Sequence, residues 1–283
     1  MRFTSLSGLV GRGLLVVCAG GAMGLGADDS SLRSAMTHLR NGDAGSAERI
    51  ATGILKRPGP PDRTALWIRG NALERMGQYL MAVEDFANLA ELEPSEPSIL
   101  VALGGARFKA GDIDGSIDAY DSAAGLDESL EAHLWQRGIS HYYAGRLDDC
   151  TAQFELHRTV NPRDVENSVW HFLCAAARDG LDSARRALIP VDRDGRVPMA
   201  EVLELFSGEG TADDVMRAAE DAGGSSAKFY AHLYLGLYWE AAGDAELSNR
   251  HVDQAVGFEA PRSYMWQVAR VHRELRRRGV AAP

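Results

Sequence analysis

The strongest constraint on this chain is a period of 34 residues in its first half. Gly70, Gly104 and Gly138 keep that spacing, and so do Gly77, Gly111 and Gly145. Ala82, Ser116 and Cys150 repeat it with small residues; Phe86, Tyr120 and Phe154 repeat it with aromatic ones. Pro94 and Pro162 stand two periods apart, with Glu128 between them. A unit of this length cannot bury an apolar face alone, so copies must stack on one another. Each copy holds two apolar-periodic segments, broken by Gly77-Gln78, Gly111-Asp112 or Gly145-Arg146, which predicts a pair of antiparallel helices. The glycine at the end of the first helix supplies the left-handed cap conformation. Small residues at Gly70 and Ala82, and at their equivalents, let the two helices approach closely. Phe86 fills the gap to the next helix, and Pro94 stops the second one.

The stretch Leu66-Trp67-Ile68-Arg69-Gly70-Asn71-Ala72-Leu73, followed by Ala82, Phe86 and Pro94, resembles a tetratricopeptide repeat. The resemblance implies an all-α fold, a right-handed α-solenoid of antiparallel helix pairs. Weaker copies flank the three strong ones. Residues 31–60 carry Asn41-Gly42-Asp43 and Ala47 at matching places. Residues 234–244 repeat the first-helix pattern, with Ser248, Val252 and Ala255 at second-helix positions. Residues 264–278 read as a capping helix, which a solenoid end needs. Residues 163–227 break the period. They form a divergent helical insert, with helices expected over 165–177, 181–188, 199–206 and 212–222. The chain thus divides into a leader (1–27), repeats (28–162), the insert (163–227) and a final repeat with its cap (228–283). This order is similar to that of NlpI-type bacterial envelope lipoproteins, which implies cell-wall hydrolases or a processing protease as partners.

Residues 1–27 contain no acidic residue. Arg2 and Arg12 precede an apolar stretch over 14–23, small residues follow, and polarity rises at Asp28-Asp29. That is the layout of a secretory signal peptide, and it places the protein in the periplasm or cell envelope, or outside the cell. The uncharged run 13–27 is shorter than the roughly 20 residues that span a membrane. Membrane association is expected only if Cys18 is lipidated or the signal is retained, and Val17 is a poor residue before a lipidated cysteine. Beyond the leader only Cys150 and Cys174 remain, one pair at most and not a disulfide framework. Lys and Arg total 30 against 40 Asp and Glu, a net charge of −10. Such a chain repels phosphate backbones, so a nucleic-acid partner is not expected.

In this family the first helices line a concave groove. By resemblance, that groove holds Trp67, Asn71, Arg75, Phe108, Lys109, Trp135, Tyr142 and Tyr143. Exposed aromatics there would anchor a protein or peptide partner. The alternative is that some of them pack inward, as an aromatic stripe at helical spacing often does. A clamp for a C-terminal carboxylate is not expected, because its places hold Trp67, Asn71, Ala102, Ala132 and Gln136, and only Asn71 fits. A second function class is an envelope enzyme using His141, Cys150, His171 and Cys174, with Glu166 or Asn167 orienting His171. No nucleophile elbow surrounds either cysteine, and no paired CxxC or HxxxH spacing marks a metal. No cofactor is expected. Asp192-Arg193-Asp194-Gly195-Arg196 reads as a solvated turn, and Arg270, Arg273, Arg276, Arg277 and Arg278 as a solvated basic face. The preferred reading is a non-catalytic scaffold.

Overall fold

The computed structural model describes residues 27–258 and 263–280. Residues 1–26 of the leader, Cys18 among them, lie outside the described residues. The chain forms two compact units that meet between Ala106 and Arg107. In the first lie α1 (Ala27–Arg40), α2 (Ala44–Leu55), α3 (Arg63–Arg75), α4 (Tyr79–Leu92) and most of α5 (Pro97–Ala110). The second holds the end of α5, then α6 (Ile113–Leu126), α7 (Trp135–Tyr143) and α8 (Leu147–Arg158). It continues through α9 (Val165–Asp179), α10 (Leu181–Arg186), α11 (Met199–Ser207) and α12 (Ala212–Ala222). It ends with α13 (Ser225–Ala241), α14 (Ala245–Gly257) and α15 (Tyr264–Arg277). No strand occurs among the described residues.

Local chemistry explains the punctuation. Gly77, Gly111 and Gly145 sit at φ of 75°, 84° and 69°, and Gly42 and Gly243 at 86° and 81°, so the weak flanking copies turn as the strong ones do. The helix after each turn opens on an aspartate in three of these copies. Asp43 accepts from the Ser46 N–H, Asp112 from Gly115 and Asp244 from Leu247. Such caps each hold about 1 kcal/mol. The pairs then close on small residues. A Cβ on Gly70 would lie 2.9 Å from the Phe86 ring, and one on Gly138 would lie 2.8 Å from Phe154. Gly104 is buried as well. In the first unit, the cluster between α1, α2 and α3 is built largely from alanines, among them Ala35, Ala47, Ala51, Ala65 and Ala72, with Leu39, Ile54 and Ile68, and further along Trp67, Leu73, Phe86 and Leu89 are buried. The second unit's core is aromatic, with Phe108, Tyr142, Phe154, Trp170, Phe172, Phe206 and Tyr234.

Three local expectations need correction. The first helix of the fourth copy is broken: residues Glu128–His133 form a 3-10 turn, and α7 starts only at Trp135. The cause lies in α8, whose side chains capture carbonyls an α-helix would use. Gln153 Nε2 donates to the Glu131 carbonyl at 2.8 Å, and His157 Nδ1 to Ala132 at 2.8 Å.

The loop at 192–196 is solvated at Asp192, Arg193, Gly195 and Arg196, but not at Asp194. Asp194 keeps only 5% of its side chain exposed and binds Arg196, which also bonds Asp164 and Glu166 at the start of α9. Tyr234 of α13 donates to Glu166 at 2.5 Å. Burial raises the Glu166 carboxyl despite Arg196, whereas at Asp194 the Arg196 hydrogen bonds outweigh burial and lower it. The terminal arginines are also not one solvated face: Arg270 and Arg276 are largely covered, at 17% and 12% exposure.

Cys150 of α8 and Cys174 of α9 are joined in a disulfide with Cα atoms 6.0 Å apart, a normal span. Cys150 therefore fills the small-residue place of its repeat and also ties the last strong copy to the divergent insert.

Candidate functional site

In the second unit, the end of α5 presents Phe108 and Lys109, and α7 presents Trp135, Tyr142 and Tyr143. This is the aromatic first-helix face that the repeat register predicts. It is not open. Phe108 is 0% exposed, Tyr142 3% and Tyr143 9%, while Trp135 and Lys109 are half-buried. The cover is α15. Tyr264 stacks on Phe108 with centroids 5.7 Å apart and planes at 19°, and meets Trp135 edge-on at 5.0 Å. The Lys109 ammonium lies 5.5 Å from the Tyr264 ring. Arg270 donates to the Lys109 carbonyl. Further along, Tyr143 Oη and His272 Nδ1 are 3.1 Å apart. Arg276 lies over the Tyr143 ring at 5.9 Å and pairs with both oxygens of Glu240 on α13. Tyr142 also donates to Glu240, at 3.1 Å.

The electrostatics follow from burial. His272 is pushed down to about 4 because burial disfavours the imidazolium more than Glu240 favours it. Glu240 is opposed by burial, but His272 and Arg276 outweigh that and hold it below the usual carboxylate range. Burial raises the phenols of Tyr142 and Tyr143, so both stay protonated and serve as donors or packing surfaces.

The remaining predicted groove residues lie in the first unit. Trp67 is buried at 8% exposure and packs edge-on against Phe86 at 5.6 Å. The Asn71 amide donates to the Trp67 carbonyl at 2.8 Å, and Arg75 donates to the Leu39 carbonyl. The expectation of exposed aromatic anchors is thus corrected for Trp67, Phe108, Tyr142 and Tyr143. Their large apolar surface is more stable covered than wet, and each finds a cover.

The residues of the enzyme alternative do not converge on one chemistry. Both thiols are consumed in the Cys150–Cys174 bond. His171 Nε2 lies 3.4 Å from Glu155, not from Glu166. Asn167 donates to the Phe154 carbonyl at 3.1 Å, and His141 is buried, with burial lowering it to about 4. Sequence reasoning missed Glu240, Tyr264 and His272 as parts of the aromatic face, and treated Arg276 as solvated. Their partners are far away in sequence, so no local spacing marks them.

A model of the tetratricopeptide repeat family matches residues 69–131. A solved tetratricopeptide repeat protein from Parabacteroides merdae is similar in fold, with a TM-score of 0.57 and 15% identity over 86% of this chain and 98% of that one. The crystal structure of MamA protein is similar too, with a TM-score of 0.53 and 18% identity over 64% of this chain and 94% of that one. The matched repeats, the recurring Gly and Asp punctuation and the paired helices together identify tetratricopeptide repeats over residues 69–131 and give the chain the fold of that superfamily.

Proposed function

We propose that this protein is an exported, non-catalytic scaffold of the bacterial cell envelope that binds other proteins. Tetratricopeptide repeats typically bind proteins or peptides and generally serve as scaffolds. One observation carries the reading for this chain. The aromatic face built by Phe108, Trp135, Tyr142 and Tyr143 holds an amphipathic helix, that of its own C-terminus. The layout of residues 1–27 supports export, and a disulfide from the only two cysteines beyond the leader suits an oxidising compartment. No described helix is long and apolar enough to cross a membrane. The similarity to NlpI-type proteins suggests cell-wall hydrolases or a processing protease as partners.

The test is crosslinking of the full chain in its native host, followed by purification and intact-mass analysis. The expected result is a chain shortened by about 26 or 27 residues, crosslinked to an envelope protein. A full-length cytoplasmic chain would refute export. Absence of any protein crosslink would refute the scaffold.

A further inference from the structure

α15 combines two kinds of surface. Met265, Val268, Val271 and Leu275 are buried apolar side chains. Alongside them, Gln267 and His272 are buried, and Arg270 and Arg276 are mostly covered. Its hold on the aromatic face is an aromatic anchor followed by charge-assisted hydrogen bonds, the means by which one protein grips another's helix. Tyr264 enters the slot between Phe108 and Trp135. Arg276, twelve residues on, meets the Glu240 carboxylate. Residues 264–278 carry five arginines and one glutamate. Arg276 meets Glu240, and Arg273 and Arg277 meet Asp253, so these cations of the helix face carboxylates.

The fit is also imperfect. His272 Nε2 is buried without a hydrogen bond, 3.5 Å from Glu240. Buried polar atoms left this way weaken the hold. A helix with the same two anchors and no imidazole beside Glu240 would avoid that cost. α15 is also the last helix described, and its contacts on this face lie within the second unit.

Building on the protein-binding reading above, we propose that α15 is an internal stand-in for a partner helix. The face recognises a basic amphipathic helix of another protein, with an aromatic residue and an arginine twelve positions later, and that helix displaces α15. Binding is then weakened by the fraction of time α15 occupies its own site.

The probe is a fluorescent peptide of residues 263–279, added to the full chain. Two full-chain variants accompany the wild type: Tyr264→Ala with Arg276→Ala, and the same pair with Glu240→Ala added. The peptide should bind the double variant about tenfold or more tightly than the wild type, as release of an occluding segment requires. Adding Glu240→Ala should abolish that gain, and so should replacing both anchors by alanine in the peptide. Equal binding to wild type and double variant overturns the proposal. So does a gain that survives the loss of Glu240. Hydrogen exchange on the wild-type chain gives a test free of variants. Amides of α15 should exchange about tenfold faster than those of α13, whereas equal protection makes α15 ordinary core and overturns the proposal. A wild-type dimer that exchanges α15 between copies overturns it as well, since the occupant is then a second copy. Peptide binding by a chain that never leaves the cytoplasm would support this inference while refuting export.

Discussion

Gly236 and Gly53 are the same residue type in helices, with opposite roles. A Cβ on Gly236 would meet Val252 Cγ2 at 2.6 Å and the Val252 backbone N at 3.2 Å, where α13 and α14 press together. Neither the branched side chain nor the backbone can retreat, so Gly236→Ala should destabilise by about 1–3 kcal/mol through overpacking. A Cβ on Gly53, inside α2, meets nothing within 4 Å. There Gly53→Ala removes only the entropic cost of glycine and should stabilise by about 0.5–1 kcal/mol. Urea unfolding of the two variants decides the matter, and a loss at Gly53 equal to that at Gly236 would refute the close-approach argument. Gly236 repeats the role of Gly70 and Gly138, so this property of the residue was readable from the first-helix pattern that residues 234–244 share with the earlier copies. The identity of the neighbour was not, since Val252 stands where earlier copies have an aromatic ring.

At the scale of the elements, α9 is held at both ends by links that no repeat carries. Its start is tied by Arg196, which gathers Asp164, Glu166 and Asp194. Arg196→Met leaves three carboxylates facing each other around one site. Arg196 keeps 43% of its side chain exposed, so water softens the penalty, and about 1–3 kcal/mol is expected rather than the full cost of breaking a buried pair. A melting temperature unchanged from wild type would show that the network contributes nothing. Further along α9, Cys174 is bonded to Cys150, 24 residues away in sequence. Replacing both by serine should lower stability by about 3 kcal/mol, as a loop of this size implies. Partner capture should be unaffected, because neither sulfur lies on the aromatic face. Loss of capture without loss of stability would return the thiols to a functional role.

Across the whole molecule, histidine sets the response to acid. His141, His157, His171, His232, His251 and His272 are all lowered from their ordinary value, each chiefly by burial. The fold keeps them neutral, while the unfolded chain takes up protons once pH falls below about 6.5. Their contribution to stability is therefore complete above that pH and is lost progressively as pH falls toward 4. For His272, enclosed by Tyr143, Glu240 and Arg276 and lowered to about 4, the loss approaches roughly 3 kcal/mol. Glu166, raised by burial, works in the other direction. Urea midpoints should fall steadily from pH 7 to pH 4.5, and His272→Gln should flatten the slope. A midpoint independent of pH in that window would mean the imidazoles are solvated.

The helix pairs and their glycine turns were legible in residue order, because each depends on neighbours within one copy. So was the side of α7 that carries Trp135, Tyr142 and Tyr143, since 3.6-residue periodicity fixes which side chains share a face. The non-periodic helices α9 to α12 were legible from their apolar spacing alone. What covers the aromatic face was not. Tyr143 meets His272 across 129 residues, Tyr142 meets Glu240 across 98, and Arg276 meets Glu240 across 36. The break before α7 was hidden for the same reason, because Gln153 and His157 act on carbonyls 22 and 25 residues earlier. Local order decides which faces exist. Only the packed tertiary structure decides which faces meet, because burial acts on whatever surfaces the completed chain brings together, whatever their distance in sequence.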